Sequence, residues 1–184
     1  MSKSELLAEE IETKKIELLQ ERINNNSKLI NDLTNKLVSD YCKQLDDYVS
    51  FIQGILQDNQ HPPTAEELDD FVMNLPTLLY FCGEAQENLG IKTDVAKAIK
   101  QEKYNEIYND LQKGTISDKT SKAELAVQSE EVTRIIYDRA YKIVKEKMNA
   151  AYELLSSIKK VISRRMNETS LTNIDEGRFR NASR

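Results

Sequence analysis

From Ser117 to Asn167 the chain runs for about fifty residues without a proline or a glycine. Nothing in that run can end a helix by force, because the strong breakers are residues that lack an amide hydrogen or a side chain. Its apolar positions Leu125, Val132, Ile136, Ala140, Ile143, Ala151, Leu154, Ile158, Val161 and Ile162 fall on one side when placed at 100° per residue. The pattern predicts one long amphipathic helix capped at Ser117. At 1.5 Å per residue it would extend roughly 75 Å, more than a compact domain of this length needs, so its apolar stripe requires partners.

The rest of the chain is also poor in punctuation, with five Gly and three Pro among 184 residues. Few strands or tight turns can be built from that supply, and an all-α fold with coiled-coil-like packing is expected. Residues 1–60 read as N-terminal amphipathic helices, with Asn24-Asn25-Asn26-Ser27 either capping a new helix or bending the first. Their main stripe is Ile30, Leu33, Leu37, Tyr41, Leu45, Tyr48, Ile52 and Ile55, whose steps of three and four describe one helical face. Pro62-Pro63 closes this region, since a residue before proline is driven out of the helical conformation. Residues 61–90 then read as short helices: Thr64 and Glu67 have the spacing of a capping box, Pro76 breaks or kinks the helix, and Gly90 ends it. The apolar run Leu78 to Cys82 is expected to be packed on all sides.

Residues 91–167 form a helical hairpin in this reading. Thr93 caps a helix over Asp94–Lys113 with Val95, Ile99, Tyr104 or Ile107, and Leu111 facing inward, and Gly114 makes the turn into the long helix. Residues 168–184 are expected to be a flexible basic tail. The expected architecture is therefore a long helical hairpin preceded by an N-terminal helical module. Ile143, Leu154 and Ile158 are the residues expected to meet other copies of the chain.

Cys42 and Cys82 lie far apart in helical patterns and suggest no disulfide framework, which points to a reducing cytoplasm. No stretch is apolar enough for a signal peptide core or a membrane span. The net charge of −5 conceals a split: residues 1–138 hold 15 Lys+Arg against 26 Asp+Glu, whereas residues 139–184 hold 11 against 5. A polyanion should therefore be drawn to the C-terminal part and repelled elsewhere.

Catalytic and metal chemistry find little support. The one histidine, His61, sits beside two prolines, and di-iron or zinc sites assembled from helices need more imidazoles than that. Adjacent acidic pairs such as Asp46-Asp47, Asp69-Asp70 and Glu130-Glu131 point about 100° apart on a helix and cannot converge on one atom. The glycines are scattered singly, so there is no phosphate loop. A non-enzymatic protein with no cofactor and no metal is expected.

One constellation has binding chemistry. Tyr141, Lys145, Tyr152 and Lys159 project within about 40° of one another on the long helix, roughly opposite its apolar stripe. Bases stack on aromatic rings while lysines neutralise phosphates, which is how sequence-independent single-strand binding is built. Lys142, Lys160, Arg164 and Arg165 extend the positive field. The same residues also suit a solubilising face on a coiled-coil oligomer, such as a phage virion or scaffold component, that binds no nucleic acid.

The segment from Ile91 to about Arg165 resembles the phage UvsY-type recombination mediators. The similar stretches are Gln101-Glu-Lys-Tyr-Asn-Glu-Ile-Tyr108, Ser117-Asp-Lys-Thr-Ser-Lys-Ala-Glu-Leu125 and Ser157-Ile-Lys-Lys-Val-Ile-Ser-Arg-Arg165. The resemblance implies a ring-like homo-oligomer that binds single-stranded DNA, catalyses nothing, and contacts a strand-exchange recombinase and a single-strand-binding protein. It covers the C-terminal part of the chain; the acidic helices ahead of it depart from the pattern and suggest a module for docking partners.

Overall fold

The computed structural model describes the backbone of residues 3–58, 60–111 and 114–182, and the side chains of residues 15–58, 60–111 and 114–169. The fold is all-α. Among the described residues four helices follow one another: α1 (Lys3–Gln57), α2 (Ala65–Asp110), α3 (Ile116–Ala126) and α4 (Gln128–Ala182).

The breaks fall where the backbone chemistry is strongest. Pro62-Pro63 separates α1 from α2, and Thr64 opens α2 through the expected capping box: Thr64 Oγ1 accepts from the Glu67 amide, and the Glu67 carboxylate accepts from the Thr64 amide at 2.8 Å. Gly114, with φ of +126°, makes the turn into α3 in a conformation that a side chain would strain. The next cap lies two residues ahead of the expected one. Thr115, not Ser117, is the N-cap, and it shares a reciprocal box with Asp118.

Weaker signals do not break helices here. α1 passes straight through Asn24 to Ser27, whose propensity cost of a few tenths of a kcal/mol each is too small to end a helix. α2 passes through both Pro76 and Gly90. Pro76 removes one amide donor, but Leu75 and Leu79 beside it are fully buried and hold the segment in helical register. Thr93, expected as a cap, lies inside α2 and donates its hydroxyl to the Leu89 carbonyl at 2.9 Å. The long helix itself is divided: Val127, buried at φ −104° and ψ 15°, joins α3 to α4. At its far end α4 runs past Asn167 to Ala182, through the segment expected as a flexible tail.

The chain divides into two units, one made of residues 1–39 and 89–141 and the other of residues 40–88 and 142–184. In the first, α2 and the start of α4 run antiparallel, joined by Lys103 to Glu130 and Lys100 to Glu131. Arg139 reaches Asn31 of α1. Leu89, Ala96, Ala123, Val127 and Ala140 are buried there, together with Thr34 and Val38 of α1. Val95 and Ile99, expected inside, are exposed, because the buried line of α2 runs through Leu89 and Ala96 instead.

In the second unit, α1 contributes Cys42, Leu45 and Ile52 to the core, α2 contributes Leu68, Phe71, Leu75, Leu79, Cys82 and Ala85, and α4 contributes Val144, Met148, Ala151, Leu155 and Ile158. The α4 steps of 4, 3, 4 and 3 average 3.5, the repeat of a coiled-coil seam. Only part of the run Leu78 to Cys82 is enclosed: Leu79 and Cys82 point into the core, while Tyr80 and Phe81 are exposed. Ile158, expected at an interface between copies, is 1% exposed and belongs to the core of its own unit. Ile143 and Leu154 flank that seam and are half-buried.

Candidate nucleic-acid interface

The residues proposed from sequence to grip a strand divide into three groups. Lys145, Tyr152 and Lys159 lie seven residues apart on α4 and are all exposed, so they form one line along the outside of the helix. Tyr152 is 52% exposed, which leaves a ring face available for stacking. Neither Lys145 nor Lys159 forms an ion pair among the described residues.

Next to one end of that line, Ser156, Lys159, Lys160, Ser163, Arg164, Asn167 and the acidic Glu168 surround a shallow concavity of about 530 Å³. Its donors are hydroxyl, ammonium, guanidinium and amide groups, the set that contacts phosphate and sugar oxygens. Arg164 is partly committed, since its Nε donates to Glu168 Oε1 at 2.9 Å. That pair is highly exposed, so a phosphate can compete with Glu168 for the guanidinium.

Two residues do not join the line. Arg165 turns inward within its unit, and its Nη1 donates to the Pro63 carbonyl at 2.6 Å. It ties α4 to the Pro-Pro segment that opens α2. Tyr141 belongs to the other unit, where its ring lies over Gly90: a Cβ added at Gly90 would stand 3.5 Å from Tyr141 Cε2. The glycine expected to end a helix is instead the floor beneath a half-buried tyrosine. Lys142 is exposed at the start of the α4 segment in the second unit.

Sequence reasoning missed several charged partners. Glu130 and Glu131, read as a solvated pair, occupy the first turn of α4, where the helix dipole favours negative charge. Hydrogen bonds from Arg134 and Lys100 hold the Glu131 carboxyl down to about 2, and one from Lys103 lowers that of Glu130. Lys147 of α4 meets Asp46 of α1 at 2.6 Å and is not available to a ligand. Tyr104 and Tyr108 stack on each other with ring centroids 6.1 Å apart and are half-buried.

The second unit is also two-sided in charge, in a way visible in the sequence once the helices are known. Residues 40–88, which supply its α1 and α2 segments, contain ten Asp+Glu and a single cation, Lys43. The facing stretch of α4 from Lys142 to Thr169 contains seven Lys+Arg and three Glu. Cationic attraction is thus concentrated on one helix of three.

Other chemistry has little footing among the described residues. They contain no cluster of three metal-ligating side chains, and no helix among them is long and apolar enough to cross a membrane. His61 pairs with Asp58 at 3.2 Å in an exposed turn. Cys42 and Cys82 are buried side by side in the second unit. Burial first, then the neighbouring Cys82, pushes the Cys42 thiol up to about 12, which leaves it a poor nucleophile. Compared with protein-family models, curated proteins and solved structures, the chain finds no match.

Proposed function

We propose that this protein is a non-catalytic accessory protein of DNA recombination that binds single-stranded DNA along the outer face of α4, with Lys145, Tyr152, Lys159, Lys160 and Arg164 making the contacts. The observation that supports this reading is the exposed Lys145–Tyr152–Lys159 line, continuous with the polar and cationic concavity at Lys160 and Arg164. An aromatic ring between cations at helical spacing offers one stacking site and several phosphate contacts, and it carries no base-edge readout. Binding is therefore independent of sequence. Loading a recombinase onto strands covered by a single-strand-binding protein is the cellular task that fits such a site and the UvsY-type resemblance, with the cytoplasm of a phage host as its setting.

A labelled oligonucleotide followed by fluorescence anisotropy across a salt series tests the binding. Log affinity should fall with log salt at about −0.7 per phosphate neutralised, so three or more contacts give a slope steeper than about −2. Lys159→Ala with Lys160→Ala should flatten that slope by more than about 1 without changing the helical circular dichroism. Absence of binding at low salt, or a slope indifferent to this double substitution, would refute the assignment.

A further inference from the structure

α2 carries, on its own outer face in the second unit, a line that mirrors the one on α4. Asp69, Met73, Pro76, Tyr80, Glu84 and Glu87 follow one another in steps of three or four and are all exposed. At 100° per residue they lie within about 80° of one another. Met73 and Tyr80 are each 73% exposed, an unusual degree for such large apolar groups two turns apart on one helix. The acidic groups at the two ends of the line, Asp69, Glu84 and Glu87, have no ion-pair partner among the described residues.

The two lines match in both order and spacing. On α4 the order is cation, tyrosine, cation, with Lys145 and Lys159 about 21 Å apart along the helix. On α2 it is acid, apolar pair, acid, with Asp69 and Glu84 about 22 Å apart. Laid together, Tyr152 falls between Met73 and Tyr80 while each lysine meets a carboxylate. Both lines are exposed on the same unit of one chain, so each is open to its complement on another.

We propose that the Asp69–Met73–Tyr80–Glu84 line of α2 docks the Lys145–Tyr152–Lys159 line of α4 from a second copy, and that this contact competes with a polyanion for α4. Each copy offers one line of either kind, so the contact joins a different surface on each partner. Docking stands on the two lines alone; the competition rests on the nucleic-acid reading of α4. The chain's acidic face thus acts as a stand-in for a strand, with carboxylates in place of phosphates and Met73 and Tyr80 in place of bases.

Light-scattering mass measurement of the full chain at low and high salt, without nucleic acid, tests the docking. Mass should rise with concentration at low salt and collapse at high salt, where screening shortens the reach of the paired charges. Asp69→Lys with Glu84→Lys should remain monomeric, as should Lys145→Glu with Lys159→Glu. An equimolar mixture of the two variants should associate again, because each then presents the complement of the other. Either substitution pair shifts the chain's charge of −5 by four, so both variants stay net negative and bulk attraction cannot imitate the rescue. A monomer at low salt, or a mixture that stays monomeric while both variants keep their helical circular dichroism, overturns the docking.

Competition is read with a neutral variant, Asp69→Asn, Tyr80→Ser and Glu84→Gln, which leaves α4 intact and adds no positive charge. At a concentration where nine-tenths of the wild type is associated, the variant should bind a labelled single-stranded oligonucleotide about tenfold more tightly, since only the free fraction of α4 is competent. Equal affinities overturn the competition. If neither protein binds the oligonucleotide while the wild type still associates, the nucleic-acid reading and the competition that rests on it both fail, and the docking stands.

Discussion

Thr34 is the one buried polar side chain whose hydroxyl finds no hydrogen-bond partner among the described residues, at 2% exposure in the α1 segment of the first unit. A buried hydroxyl without a partner loses its water and gains nothing in return, at a cost of about 1–3 kcal/mol. Valine has nearly the same shape without the oxygen. Thr34→Val should therefore raise the urea midpoint, by about 1 kcal/mol of stability, and an unchanged or lowered midpoint would show that the hydroxyl is satisfied in solution. Gly90 illustrates why single residues mislead in sequence. A helical glycine and a terminating glycine are the same letter, and only the Tyr141 ring lying over it distinguishes them.

At the scale of elements, Pro76 offers the sharpest test. It sits inside α2, where it removes the bond that an amide at position 76 would donate to the Val72 carbonyl. Pro76→Ala restores that donor on an exposed position and should raise stability by up to about 3 kcal/mol, seen as a higher melting temperature with unchanged helicity. A lower melting temperature would mean that the proline's ring packing outweighs the missing bond. The helices themselves were legible because the apolar period is strong and Pro62-Pro63 is unambiguous. Their boundaries were less so: Pro76 and Gly90 carry local costs of a few kcal/mol or less, which packing of Leu75, Leu79 and Leu89 outweighs, and Asn24 to Ser27 cost too little to end a helix. The division at Val127 had no local signal, since neither proline nor glycine marks it. Along α3 and α4 the expected stripe had the right general side but included Leu125 and Val132, which are exposed, and omitted Val144, Met148 and Leu155, which are core. A seam with a 3.5-residue repeat drifts by about 20° per heptad from the 3.6-residue wheel used to draw it, and over a helix this long the drift changes which neighbours are inside. The binding line at Lys145, Tyr152 and Lys159 was readable because steps of seven stay in phase with that seam, whereas Tyr141 and Arg165 depend on what Gly90 and Pro63 present to them.

For the molecule as a whole, charge layout predicts how stability changes with acid. Asp58, Glu67, Asp118, Glu130 and Glu131 all have carboxyls held below their ordinary values, three of them by hydrogen bonds in helix-capping or turn positions and two by cations across α2 and α4. A carboxyl that is more acidic folded than unfolded binds fewer protons in the native state. The stability it contributes is complete above the unfolded value and is lost as pH falls through the folded one. For Glu131 that window runs from the ordinary 4.5 down to about 2, because Arg134 and then Lys100 hydrogen-bond its charged form. The urea midpoint should thus stay level from neutral pH to about 5 and fall steadily below that. Glu131→Gln should lower the neutral midpoint and take part of the acid slope with it, since the amide keeps the size but not the charge that Arg134 and Lys100 hold. A midpoint that is flat from pH 7 to pH 3, or an acid slope unchanged in the variant, would show that these pairs are too well solvated to bear on folding.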